Sequence, residues 1–161
     1  MSPYLWRPTP DPMAIAKVQE ETLNKFLLAW KEQRAEDITA LWSDDFKQRV
    51  LPLSLQLPAK SRTEAAIMNN ILSSKLTNWK LDIREIVHDT SRGSAAVYAI
   101  AEADTPVAGE KWTNEYSVFT SFSEDGTKIT RLEEMVDTAF FRHFFPKFQQ
   151  HLMESGKPAH A

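Results

Sequence analysis

Trp79-Lys80-Leu81-Asp82-Ile83-Arg84-Glu85-Ile86-Val87-His88 is where the chain changes its period. Trp79, Leu81, Ile83 and Val87 alternate with Lys80, Asp82, Arg84 and His88, the two-residue repeat of a strand with one buried face. Downstream the same repeat continues. A turn at Ser91-Arg92-Gly93 precedes a strand from Ala95 to Ala103, and a loop through Pro106 and Gly109 leads to a long strand from Lys111 to Phe122. Glu124-Asp125-Gly126 reads as a hairpin turn, and Lys128 to Val136 as the returning strand. Asp137-Thr138-Ala139 then caps a final helix carrying Phe140, Phe141, Phe144, Phe145, Phe148 and Leu152.

Upstream the pattern is helical. Asp11-Pro12 pairs an N-cap with a proline at the first helical position, where its missing N–H costs nothing. Ile15, Val18, Phe26, Leu27 and Trp30 share one face of the helix that follows, which runs for about five turns. A short second helix carries Ile38, Leu41 and Trp42 and ends near Ser43-Asp44-Asp45. Phe46 to Leu57, interrupted by Pro52 and followed by Pro58, reads as a short edge strand. Ser61-Arg62-Thr63-Glu64 has capping-box spacing and opens a third helix over about 61–74. Helices first and strands afterwards predict an α+β domain, a curved antiparallel sheet packed on helices with a concave pocket between the layers. The expected boundaries are an N-terminal arm over 1–12, one domain over 13–153, and a frayed tail over 154–161.

Composition narrows the function. The 161 residues suit one domain. With 19 basic and 22 acidic residues and a net charge of -3, the chain has no broad cationic surface for nucleic acid. No apolar run approaches the roughly 18 residues of a membrane span. The opening residues carry neither a basic nor an apolar leader pattern, which gives a cytoplasmic expectation. There is no cysteine, the histidines are dispersed, and the glycines fall in turns or the tail, so neither a metal site nor a phosphate loop is expected.

Asn114-Glu115-Tyr116 on one strand and Lys128-Ile129-Thr130-Arg131-Leu132-Glu133-Glu134-Met135-Val136-Asp137 on the next resemble the SnoaL-like branch of the nuclear-transport-factor-2-like superfamily. The likeness is strongest to its small fungal members of polyketide and meroterpenoid pathways. Leu51-Pro52-Leu53-Ser54-Leu55, Val87-His88-Asp89, Ala103-Asp104-Thr105-Pro106 and Phe144-Phe145-Pro146 extend it over residues 14 to 152. The resemblance implies a cone-shaped, cystatin-like barrel, commonly a homodimer through the outer sheet face. It also implies cofactor-free acid/base chemistry on a hydrophobic secondary metabolite: isomerisation or cyclisation, with dehydration or simple binding as alternatives.

Glu134 is the principal candidate. It shares a strand face with Leu132 and Val136, and an inward carboxylate between apolar neighbours is raised in pKa by desolvation; the alternative register turns Glu133 inward. Tyr116 and Asn114 lie on one face of the preceding strand with Trp112, Val118 and Thr120, where a phenol and an amide could donate to a developing oxyanion. Asp137 is either a second acid/base group, as relatives of this type imply, or the cap of the last helix. Trp30, Trp42 and Trp112 are expected on inward faces, lining a pocket for a flat polycyclic ligand, opposite Ala99, Ala101 and Ala103 whose small side chains leave volume open. His88 falls on the wetter face and His143 at the rim of the aromatic helix.

Overall fold

The computed structural model describes residues 11–156. The first ten positions of the expected arm and the end of the expected tail lie outside that range. Helix α1 (Pro12–Lys31) starts where the sequence places it, with the Asp11 carboxylate accepting from the Met13 N–H at 3.0 Å. Its buried face carries Leu23, Phe26, Leu27 and Ala29, and also two polar residues, Gln19 and Thr22. Those two meet the turn after the fifth strand: the Thr22 hydroxyl donates to the Gly126 carbonyl at 2.7 Å.

Helix α2 (Ala35–Ala40) stops earlier than its apolar pattern implies, because the next residues join the sheet. Ile129 donates its N–H to the Leu41 carbonyl at 2.8 Å, and Trp42 opens strand β1 (Trp42–Leu51). Trp42 is therefore a strand residue, not a helical one. Strand β2 (Lys60–Ser61) leads into helix α3 (Arg62–Lys75), whose Ser61–Glu64 capping box forms in full. Strands β3 (Thr77–Asp89), β4 (Ser94–Asp104), β5 (Lys111–Phe122) and β6 (Ile129–Val136) follow, and helix α4 (Thr138–Ser155) ends the described chain.

The six strands form one curved, unclosed sheet in the order β2-β1-β6-β5-β4-β3. The expectation of an antiparallel sheet holds for four of the five strand pairings and needs correction at one. β1 runs parallel to β6, so the sheet is mixed and open, and β1 is an inner strand with only the two residues of β2 outside it. The fold class is α+β as read from the sequence. The β3 alternation is broken by a bulge between Ile83 and Glu85. One extra residue reverses the faces beyond it, so Val87 points outward and is exposed while His88 turns inward, 5.4 Å from the Phe122 ring and 3.3 Å from Gln19. His88 thus belongs to the packed face, contrary to the simple alternation.

The inner face of β4 and β5 is covered. Ala99 and Ala101 have no exposed surface at all. These small side chains are sealed in the core and do not line the cavity described below, which corrects the reading that they leave it open. α4 lays Phe140, Phe144 and Phe145 around the Trp112 ring at centroid distances of 5.3, 5.4 and 6.0 Å. Glu110 in the β4–β5 loop holds α4 through His143 and Lys147. No described helix is long and apolar enough to cross a membrane.

Candidate active site

A cavity of about 110 Å3 lies between α1, α3 and the concave side of β1, β5 and β6. One water needs about 10–15 Å3, so the space admits several waters or part of a ring system. Its walls are aromatic and aliphatic: Phe26 and Trp30 from α1, Met68 and Leu72 from α3, Trp42 from β1, Trp79 from β3. Two amides also line it. Gln33 donates to the Leu76 carbonyl at 3.2 Å and Asn69 donates to the Ala35 carbonyl at 3.3 Å, tying the α1–α2 turn to the end of α3 and α3 to α2.

Glu134 lines this cavity. The pairing of Val118 with Glu134 and of Tyr116 with Val136 sets the β6 register, which turns Leu132, Glu134 and Val136 inward. Glu133 turns the other way, 3.8 Å from Arg131. The Glu134 Oε1 accepts a hydrogen bond from the Gln48 amide at 3.2 Å. Burial among apolar walls raises its pKa above the usual carboxylate range, while the Gln48 hydrogen bond and the Lys60 charge oppose the shift. The residue as a whole is half-buried and lines the cavity, which puts it within reach of a ligand there.

Tyr116 stands beside it. The side chain is 7% exposed, lines the cavity, and meets Trp30 edge-on at 5.5 Å. Burial, then the Glu134 charge, pushes its phenol well above the ordinary tyrosine range, so the hydroxyl stays a hydrogen-bond donor. The Asn114 side chain and then the Trp112 indole N–H oppose that shift by favouring the ionised phenol, although the Trp112 N–H makes no well-formed hydrogen bond.

Trp30, Trp42 and Trp112 all line the cavity, whereas Asn114 and Asp137 do not. Asn114 is buried on the expected face, but its amide oxygen accepts from the Asp137 N–H at 3.1 Å and fixes the β6–α4 junction. The Asp137 carboxylate accepts from the Ala139 and Phe140 N–H groups, which is the helix-cap role. Gln48 and Trp79 are cavity residues that the sequence did not single out. Trp79 was visible as an inward strand residue; Gln48 becomes a site residue only through the parallel β1–β6 pairing, which no local pattern announces. Among the described residues, no group of three or more His, Cys, Asp or Glu is gathered to hold a metal.

No family profile matches the chain. Among curated proteins, "Monooxygenase nsrS" of Aspergillus novofumigatus is 61% identical over 144 residues, spanning 89% of this chain and 96% of that protein. An "Ergochrome gene cluster protein" of Claviceps purpurea is 46% identical over 135 residues, 84% and 87% of the two chains. Among solved structures, BvnE pinacolase from Penicillium brevicompactum superposes with a TM-score of 0.75 at 15% identity, covering 84% of this chain and 94% of that one, a likeness of fold. With sequence relatives this close, the chain belongs to the fungal protein family that includes this monooxygenase and this gene cluster protein, and its fold is the nuclear-transport-factor-2-like one.

Proposed function

We propose that this protein is a secondary-metabolite pathway enzyme in which Glu134 moves a proton on a flat, hydrophobic, oxygenated substrate, in an isomerisation or cyclisation. One observation carries the reading: a desolvated carboxyl, held by Gln48, lines an aromatic-walled cavity beside a phenol that keeps its proton and so can donate it in a hydrogen bond. Glu134 would take a proton from a carbon acidified by an adjacent or conjugated carbonyl, and Tyr116 would donate to the oxygen on which negative charge develops. Return of the proton to a different atom completes an isomerisation; attack of the carbanion on a second carbonyl completes a ring closure.

The names of the curated relatives favour a second reading, oxygenation at the same carbon. A carbanion made by Glu134 can meet dioxygen: a methylene becomes a carbonyl, one oxygen atom enters the product and the other leaves as water, with all electrons supplied by the substrate. A single probe separates the two. Anthrone, a flat ketone with an activated methylene, is incubated with the protein in D2O. Accelerated deuterium exchange under nitrogen, lost in Glu134→Gln, supports proton transfer by this carboxyl. Faster anthraquinone formation in air, also dependent on Glu134, shifts the assignment to oxygenation. No acceleration of either process by the native protein, although anthrone binds, would reduce the cavity to a carrier site.

A further inference from the structure

A base that takes a proton from carbon must start as the carboxylate, and an apolar cavity opposes that charge. Among the described residues lining the space, Glu134 and Tyr116 are the only titratable groups, and Tyr116 keeps its proton. The walls given by α1, α3 and β3 bring no charge. A carboxylate left alone in such surroundings takes up a proton. What keeps Glu134 ionised therefore has to come from the remaining side, the β1–β2 edge of the sheet.

That edge carries two groups in register. Gln48 of β1 pairs with Leu132 of β6, and Lys60 of β2 pairs with Gln48. Paired residues project from the same face, so Leu132, Gln48 and Lys60 form one row on the concave side. Glu134 is the next inward residue of β6 and stands diagonal to Gln48, whose amide closes the diagonal by donating to Oε1 at 3.2 Å. No described residue donates to the other carboxyl oxygen, Oε2. Lys60 is half-buried and makes no ion pair with a described carboxylate. Two strand spacings of about 4.8 Å separate its backbone from β6. Its charge acts across that gap on Glu134, and also on Glu64, which Ser61 already holds.

Building on the proposed proton transfer, we infer that Gln48 and Lys60 are positioning residues for it: Gln48 occupies Oε1 and Lys60, behind it on the edge strand, supplies the countercharge, so that Glu134 enters the reaction as a carboxylate with Oε2 free to take the proton. This gives β2, only two residues long, a task beyond ending the sheet. It brings a cation within range of the base while the lining of the cavity itself stays free of positive charge. A lysine inside the cavity would pair with the carboxylate directly and block its approach to a carbon acid; one set behind a neutral amide acts on the charge and leaves the oxygen open.

A one-ring probe suits a space of about 110 Å3, since a cavity of about 150 Å3 takes benzene. Cyclohex-3-enone carries a methylene between its carbonyl and its double bond; removal of a proton there gives a dienolate, and return of a proton to the far alkene carbon gives conjugated cyclohex-2-enone, read by its ultraviolet absorbance. The rate is followed against pH in the native protein, Gln48→Leu, Lys60→Met and Lys60→Arg. Carboxyl-carbon NMR without substrate follows the Glu134 resonance, identified by its loss in Glu134→Gln. Both groups favour the charged form, so removing either should carry the titration midpoint and the acid limb of the rate profile to higher pH. On that limb the rate should drop by about tenfold in Gln48→Leu, which loses a hydrogen bond to a charged group, and by about threefold in Lys60→Met, which loses a more distant charge. Lys60→Arg should bring the midpoint back to the native position. A merely structural role would lower the rate equally at every pH and leave the midpoint in place. Lys60→Met, at the sheet edge, decides the matter even where Gln48→Leu fails to fold. Glu134-dependent turnover with an unmoved midpoint in Lys60→Met overturns the inference and leaves the proposed function standing. Moved midpoints without turnover of the probe support the assignment of Gln48 and Lys60 and count against the proposed proton transfer instead.

Discussion

At the scale of single residues, everything turns on a carboxyl placed where water is scarce. Glu134→Gln preserves shape and hydrogen bonding to Gln48 but removes the titrating group, so turnover should fall by about 10²–10⁴, the usual span for a general acid/base. Tyr116→Phe removes one neutral hydrogen bond and should lower the rate by about tenfold. The pKa of Glu134 also sets a sign for stability. Its folded pKa lies above the ordinary value of 4.5, so the native state binds the proton more tightly than the unfolded chain. Stability is then full below pH 4.5 and declines as pH rises through the folded pKa. Thermal melts across pH should therefore show Glu134→Gln gaining on the native protein from acid toward neutrality; a gap that stays constant with pH would contradict the desolvation argument. The inward face of Glu134 was legible because Leu132 and Val136 bracket it in unbroken alternation. Asn114 was legible as inward but not as structural, because the backbone N–H it accepts from lies 23 residues away.

Among the elements, the strands with clean alternation and the helices with caps could be read directly: α3 from its Ser61–Glu64 box, α4 from Asp137, β5 and β6 from their periods. Those set by distant partners could not. Trp42 continues the apolar repeat of α2 and is drawn into β1 only by pairing with Ile129, and the β3 bulge moves His88 inward without any glycine or proline to mark it. The turn between β5 and β6 shows how α1 is fixed. Gly126 has φ of +76°, and a Cβ there would stand 2.8 Å from Gln19 Cγ and 3.0 Å from the Gln19 nitrogen. Gly126→Ala combines left-handed strain with that collision and should destabilise the fold by about 1–3 kcal/mol, read from chemical denaturation. Unchanged stability would show that α1 does not rest on this turn.

For the whole molecule, an open sheet with helices on its concave side leaves the convex side bare. Val87, Phe119 and Met135 remain exposed there, and an apolar surface of this kind marks an interface. We propose a homodimer through this face; light scattering should give a dimeric mass for the native chain and a monomeric one for Phe119→Asp, whereas a native monomer would contradict it. In the proposed function the concave side carries the chemistry: Trp30, Trp42, Leu132 and Trp79 line one cavity with Glu134, and Gln48 from the parallel strand supplies its hydrogen bond. That claim, a dry and ligand-accessible carboxyl at the heart of the cone, is open to direct measurement by carboxyl-carbon NMR of glutamate-labelled protein titrated with acid. The account predicts one resonance titrating above 4.5, absent from Glu134→Gln and displaced when anthrone binds. Titration of every glutamate at or below its ordinary value, with no response to the ligand, would contradict it.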